Sequence, residues 1–159
     1  MEQQIHYRIT KKIFAKMLQR AEIDCLTLQN FAAFEAKALG DAKLSISKYE
    51  TVLAVLDFFT ENKFVWNALS DDAIRQQLSS IKGIGKWTID MILLYTLNRP
   101  DVFPYDDFHL KQVMSHVYGL DPSSKLKAQM LEIASLWGNH RSLAVKYLLS
   151  WKKQQNKIK

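Results

Sequence analysis

The sequence predicts an all-α fold, a bundle of about seven or eight short helices, and three observations carry that prediction. Apolar residues recur at spacings of three and four along most of the 159 residues, no segment alternates with period two, and only five glycines and three prolines punctuate the chain.

Each element follows from local signals. Ile5, Ile9, Ile13, Phe14 and Met17 mark a first helix; Leu28, Phe31, Ala32 and the run from Phe34 to Leu39 mark a second, ended by Gly40. Tyr49, Val52, Leu53, Leu56 and Phe59 share one face of a third, which either Ser45 or Ser47 can cap. Ser70, followed by Asp71 and Asp72, opens a fourth that reaches about Ser80. A strongly apolar helix then runs from Lys86 to Leu97 and stops at Asn98-Arg99-Pro100. After an extended stretch from Asp101 to Tyr105, a helix is predicted from Asp106 to Tyr118, closed by Gly119. Asp121-Pro122 should open the next, through Leu136. The last is predicted from His140 to Lys153, with Leu143, Tyr147, Leu148 and Trp151 facing inward and a solvated, Lys-rich tail over 154–159.

Length and uniform composition predict one domain over 1–153. Lys and Arg number 22 against 16 Asp and Glu, a net charge of +6 that suits a polyanionic partner. The single cysteine, Cys25, excludes an internal disulfide framework and a four-cysteine metal or iron–sulfur site. It is expected as a small buried hydrophobe, and this cysteine usage fits a reducing cytosol. The scattered His6, His109, His116 and His140 have no metal-site spacing, so neither a metal nor a cofactor is expected. Neither a secretion signal nor a run of 18 apolar residues is present, so no membrane partner is expected.

The most informative stretch is Leu78 to Asp90. Two helices joined by a turn with glycines two apart can take positive φ and present several backbone N–H groups, with a helix dipole behind them. Such a turn can hold a phosphate without reading sequence, and Lys82 and Lys86 beside it would add electrostatic affinity.

The run Ile81-Lys82-Gly83-Ile84-Gly85-Lys86-Trp87-Thr88, followed after an apolar helix by Asp101-Val102-Phe103-Pro104 and then Asp106-Asp107, resembles the helix-hairpin-helix base-excision DNA glycosylases, in particular the 3-methyladenine DNA glycosylase II branch. Flanking segments match that family as well. Gln3-Gln4-Ile5 resembles its Gln-Gln-Leu-Ser helix start, Leu44-Ser45-Ile46-Ser47-Lys48 its Gly-Leu-Ser-x-x-Lys segment, and Trp137 to Ser142 its Trp-x-Pro-x-Arg-Ser segment. The resemblance covers essentially the whole chain.

That resemblance implies a DNA glycosylase of base excision repair that excises alkylated purines such as 3-methyladenine from double-stranded DNA, nucleoid-associated if the chain is bacterial. Lys82, Gly83, Ile84, Gly85, Lys86 and Thr88 would then contact the DNA backbone. The family's indispensable Asp falls on Asp107, leaving Asp106 as the expected helix cap. A carboxylate there is chemically sensible, because breaking an N-glycosidic bond leaves positive charge on the deoxyribose and a fixed anion stabilises it. The extruded base would stack on electron-rich rings, Trp87 and Phe108 first, with Met91, Tyr105 and Trp137 as further pocket candidates. Relatives that also cut the strand carry a Lys at the Trp87 position, which forms a Schiff base, so the indole implies a monofunctional enzyme. A non-catalytic helix-hairpin-helix DNA-binding module and a glycosylase for another damaged base are the alternatives. Arg141 and Ser142 are expected to orient the last helix. Relatives carry a further helix before the Gln-Gln segment, and His6 replaces a small Ser, so self-association or a shortened form of a longer protein is expected.

Overall fold

A computed structural model describes residues 7–40 and 44–158, with side chains described from 11 to 155 over those spans. The Gln3-Gln4-Ile5 segment, His6 and the Ile9 side chain lie outside the described residues. Those that are described form helices and no strand. The chain divides into two compact units, Met1–Phe64 with Ile81–Gly83, and Val65–Ser80 with Ile84–Lys159, within the stretch read above as one domain.

In the first unit, α1 (Tyr7–Ala21) is followed by α2, an α-helical turn Phe31–Phe34 continued by a π turn Glu35–Leu39, and by α3 (Ile46–Glu61). Its core gathers Ala21, Phe31, Phe34, Ala38 and Leu39, onto which Met17 and Leu18 of α1 and Tyr49, Val52, Leu53 and Leu56 of α3 pack. The α3 face thus falls where the periodicity puts it. Between the two possible caps the structure selects Ser45, whose Oγ accepts from the Lys48 amide at 3.4 Å. Met17, Leu18 and Ala21 form the packed side of α1, while Ile13 and Phe14 are nearly half exposed. One expectation is corrected: Cys25 is exposed in the loop that follows.

The second unit holds α4 (Asp71–Ser79), α5 (Lys86–Met91, continued by a π turn Ile92–Thr96), α6 (Phe108–Tyr118), α7 (Leu126–Ser135) and α8 (Arg141–Ile158). Ser70 Oγ caps α4 through the Ala73 amide at 3.2 Å, and Gly119, at φ 64°, ends α6. Its core draws Ile74 and Leu78 from α4, Ile89, Leu93 and Leu94 from α5, Leu110, Val113 and Met114 from α6, Met130 from α7 and Val145 from α8. Burying one such aliphatic side chain contributes about 1.5–3 kcal/mol.

Three features of this unit depart from the sequence reading. Asp121-Pro122 does not open α7: the Asp121 carboxylate accepts from the Ser123 amide at 2.8 Å, making a local turn that delays the helix to Leu126. On α8, Leu143 and Tyr147 are 55% and 70% exposed while Ser142 and Val145 are buried. A small hydrogen-bonded Ser can be buried where periodicity counts only apolar side chains. Finally, α8 continues through Ile158, so residues 154–158 of the segment read as a tail belong to its last turns.

Candidate functional site

Asp107 stands at the first turn of α6, where it is itself the N-cap. Its Oδ1 accepts from the Leu110 amide at 2.7 Å, and its Oδ2 accepts from the Trp87 indole Nε1–H at 2.8 Å. The capping role assigned to Asp106 is therefore corrected. Asp106 is exposed and lies 3.9 Å from Lys111 in a loose ion pair. Backbone geometry explains the difference, since Asp107 has the extended φ/ψ of a cap, −63° and 125°.

The carboxylate is only 6% exposed, yet the rings beside it are open: Trp87 is 49% exposed and Phe108 52%. An anion held by two donors, with two half-exposed aromatic side chains beside it, is a site that can oppose positive charge forming next to it.

The segment leading to Asp107 is fixed from α8. Ser142 Oγ accepts from the buried Val102 amide at 2.8 Å, and the Ser142 amide donates to the Pro100 carbonyl at 3.1 Å. Arg141 grips Asp101 with two nitrogens, Nε on Oδ1 and Nη2 on Oδ2, the latter at 2.5 Å. Hydrogen bonding to that guanidinium holds the Asp101 carboxyl below the usual carboxylate range. Arg141 and Ser142 thus anchor the extended chain that delivers Asp107, in addition to starting α8.

The remaining pocket candidates divide. Trp137 packs edge-on against Phe103, with ring centroids 5.8 Å apart, and is a packing aromatic in this structure. Tyr105 is half-buried, with the ammonium groups of Lys86 and Lys127 lying 4.2 and 4.1 Å from its ring centroid. Met91 is half-buried one turn beyond Trp87 on α5.

Around the hairpin, Gly83 takes φ 87°, and a Cβ placed on it would collide with Thr51 Oγ1, so both backbone and space demand glycine. Gly85 differs from the expectation of positive φ. It is the N-cap of α5, at φ −90° and ψ 168°, with open space where a Cβ would go. Lys82 is exposed and paired with Glu50 at 2.8 Å. Lys86 is committed internally, its Nζ 2.7 Å from Asp90 Oδ2 as well as over Tyr105. Ile84 and Thr88 are half-buried.

Sequence reasoning passed over Asp90, which is 1% exposed and binds both Lys86 and Arg75 of α4, the latter at 2.5 Å. This carboxylate ties α4 to α5 on the two sides of the turn. A lone acid among Ile89, Met91 and Ile92, four residues after a Lys, was the available signal. Among the described residues no three His, Cys, Asp or Glu side chains form a group able to hold a metal, and no helix is long and apolar enough to cross a membrane.

Solved structures share this fold. DNA-3-methyladenine glycosidase from Bacillus halodurans superposes with a TM-score of 0.78 at 21% identity, over 98% of this chain and 73% of that one. The 3-methyladenine DNA glycosylase of Schizosaccharomyces pombe, solved in complex with abasic DNA, gives 0.73 at 24% identity, over 95% and 75%. The fold is therefore that of the DNA-3-methyladenine glycosidases. The chain belongs to the HhH-GPD superfamily of base excision DNA repair proteins, whose model matches residues 1–139. In sequence it is similar to DNA-3-methyladenine glycosylase 1 of Schizosaccharomyces pombe, 36% identical over 84 residues, or 53% of this chain and 36% of that protein. A DNA-3-methyladenine glycosylase of Bacillus subtilis is 26% identical over 113 residues, 69% of this chain and 37% of that protein. The chain spans about two fifths of the length of such curated relatives.

Proposed function

We propose that this protein is a monofunctional DNA glycosylase that releases alkylated purines, of the 3-methyladenine kind, from double-stranded DNA and leaves an abasic site. The bond between Trp87 and Asp107 carries this reading. It puts a buried carboxylate against an indole at the position where the strand-cutting relatives have an amine.

In the reaction the extruded base stacks on the open rings of Trp87 and Phe108. The bond between C1′ and the base nitrogen breaks with its electron pair leaving on the base. Positive charge then develops on the sugar, where the Asp107 carboxylate stabilises it. Water adds to C1′ and gives up a proton, completing a hydrolysis in which no covalent enzyme–DNA bond forms. The Gly83 to Lys86 turn meets the backbone without reading bases, so binding depends on the lesion and on salt. Such an enzyme works beside its DNA, which in a bacterial cell places it in the cytoplasm at the nucleoid.

The direct test incubates the protein with duplexes carrying 3-methyladenine, 7-methylguanine, hypoxanthine or uracil and analyses the released bases and the strand. Release of methylated purine from an intact strand that breaks only in alkali supports the reading. Binding without any release would instead identify a DNA-binding module, and a borohydride-trapped adduct in substantial yield would contradict the monofunctional mechanism.

A further inference from the structure

The ring of Tyr105 gathers cations from two helices. Lys86, in the first turn of α5, and Lys127, in the first turn of α7, place their ammonium groups 4.2 and 4.1 Å from its centroid, so the two charges stand no further apart than those distances summed. Their surroundings differ. Lys86 is also bonded to the buried Asp90, a carboxylate that it shares with Arg75 of α4. Lys127 is exposed, and among the described residues no carboxylate pairs with it. Asp106, next to Tyr105 in the chain, is paired with Lys111 instead. Three cations, Arg75, Lys86 and Lys127, therefore stand against one carboxylate, Asp90, which leaves two positive charges uncompensated around a half-buried ring.

An aromatic ring attracts an ammonium without taking up its N–H groups as an oxygen acceptor does, so Lys127 is held in place with donors to spare. Like charges gathered at one ring repel each other, and an anion beside the exposed one offsets that repulsion. Lys86 directly follows Gly85, the N-cap of α5 in the turn proposed to meet the DNA backbone, so the cation pair continues that surface. We propose that Lys127, seated on Tyr105, binds a backbone phosphate of the DNA, which extends the phosphate-binding surface from the start of α5 to the start of α7. Tyr105 is then a platform for cations and a positioning residue for this contact. The proposal rests on the DNA-binding step of the glycosylase reading above and adds a contact that the hairpin motif does not contain.

The test measures affinity for duplexes that carry an abasic analogue and, in a series, one neutral methylphosphonate in place of a single phosphate on either strand. Neutralising the phosphate that Lys127 meets should weaken wild-type binding about fivefold, whereas Lys127→Gln should lose nothing further at that position and still respond at the others, as coupled partners do. Lys127→Arg and Tyr105→Phe should keep the wild-type loss, and Tyr105→Leu, which removes the ring, should shrink it. A charge acting only at long range makes the losses additive, so a Lys127→Gln variant that responds like wild type at every position overturns the proposal. An undiminished loss in Tyr105→Leu overturns the role of the ring. Release of 7-methylguanine by the wild type, measured alongside, keeps the two readings apart. Release with additive losses overturns this contact alone, while the coupled pattern without release overturns the enzyme and supports the contact. Absence of any DNA binding overturns both.

Discussion

The indole nitrogen of Trp87, on α5, donates a hydrogen bond to the buried carboxylate of Asp107, at the start of α6, across 2.8 Å. Two residues singled out for separate tasks are therefore joined, with the indole N–H fixing the orientation of the carboxylate. Trp87→Phe keeps an aromatic face and removes that bond. Hydrogen bonds to charged groups contribute about 1.5–3 kcal/mol, so single-turnover base release should slow roughly 10- to 100-fold. A near-normal rate would show that the bond does not position the acid.

Asp107→Asn should abolish most base release, by about 100-fold or more, while DNA affinity stays equal or rises. Its folding stability should change little, because Asn caps a helix about as well as Asp; Asp107→Ala should lose about 1 kcal/mol more. Asp106→Asn breaks only an exposed ion pair and should lie within about 1 kcal/mol of wild type, with ordinary turnover. Urea melts paired with base-release assays separate these effects.

The two hairpin glycines should respond differently. Gly83→Ala forces a Cβ into left-handed backbone and onto Thr51, and should destabilise the protein by about 1–3 kcal/mol. Gly85→Ala fills open space at an ordinary φ and should cost less than about 1 kcal/mol. Equal loss in thermal melts of the two variants would contradict the geometry.

Stability should respond to acid through Asp101. The hydrogen bond from Arg141 holds its folded pKa below the ordinary value of 3.8, so its contribution is present above that pH and is lost as pH falls through the lower folded value. Asp101→Asn should therefore be less stable than wild type at pH 7, and the gap should close in melts carried progressively below pH 3.8. A gap that persists unchanged at the lowest pH would mean that the pair contributes by shape and not by charge.

Lys82 and Lys86 should separate in salt titrations of a duplex carrying an abasic analogue. Lys82→Ala should reduce the slope of log K against log salt by about 0.9, the loss of one phosphate contact. Lys86→Ala should change that slope less and stability more, because its ammonium serves the buried Asp90 as well as Tyr105, whereas the Glu50 partner of Lys82 is exposed and can yield it to a phosphate. The reverse pattern would place Lys86 on the phosphate.

Much of this architecture was legible because its signals are local. Ser45, Ser70, Gly40 and Gly119 mark helix ends within a few residues of the chain they govern, and the α3 face repeats every three or four positions. The motif pointed to Asp107 and Trp87, and the structure brings the two side chains into a hydrogen bond. The misreadings lie where partners are remote or polar. Ser142 is buried by bonds to residues 100 and 102, Asp90 is sheltered by an Arg fifteen residues earlier, and Lys152 meets α6 some forty positions away. No periodicity encodes a buried charge whose partner lies on another helix, and none separates a capping acid from the residue before it.

The contact between Gly83 and Thr51 reaches beyond this one chain. A Cβ at 83 and the branched side chain at 51 claim the same volume, so the two positions form a coupled pair in sequence space. Any relative that gives up glycine at the first position should carry Ala or Gly at the second, since Ser would keep the hydroxyl that occupies the space, and left-handed backbone narrows the replacement itself to Asn or Asp. In a library randomised at both sites, survivors should show this correlation, with Thr at 51 found almost only beside Gly at 83.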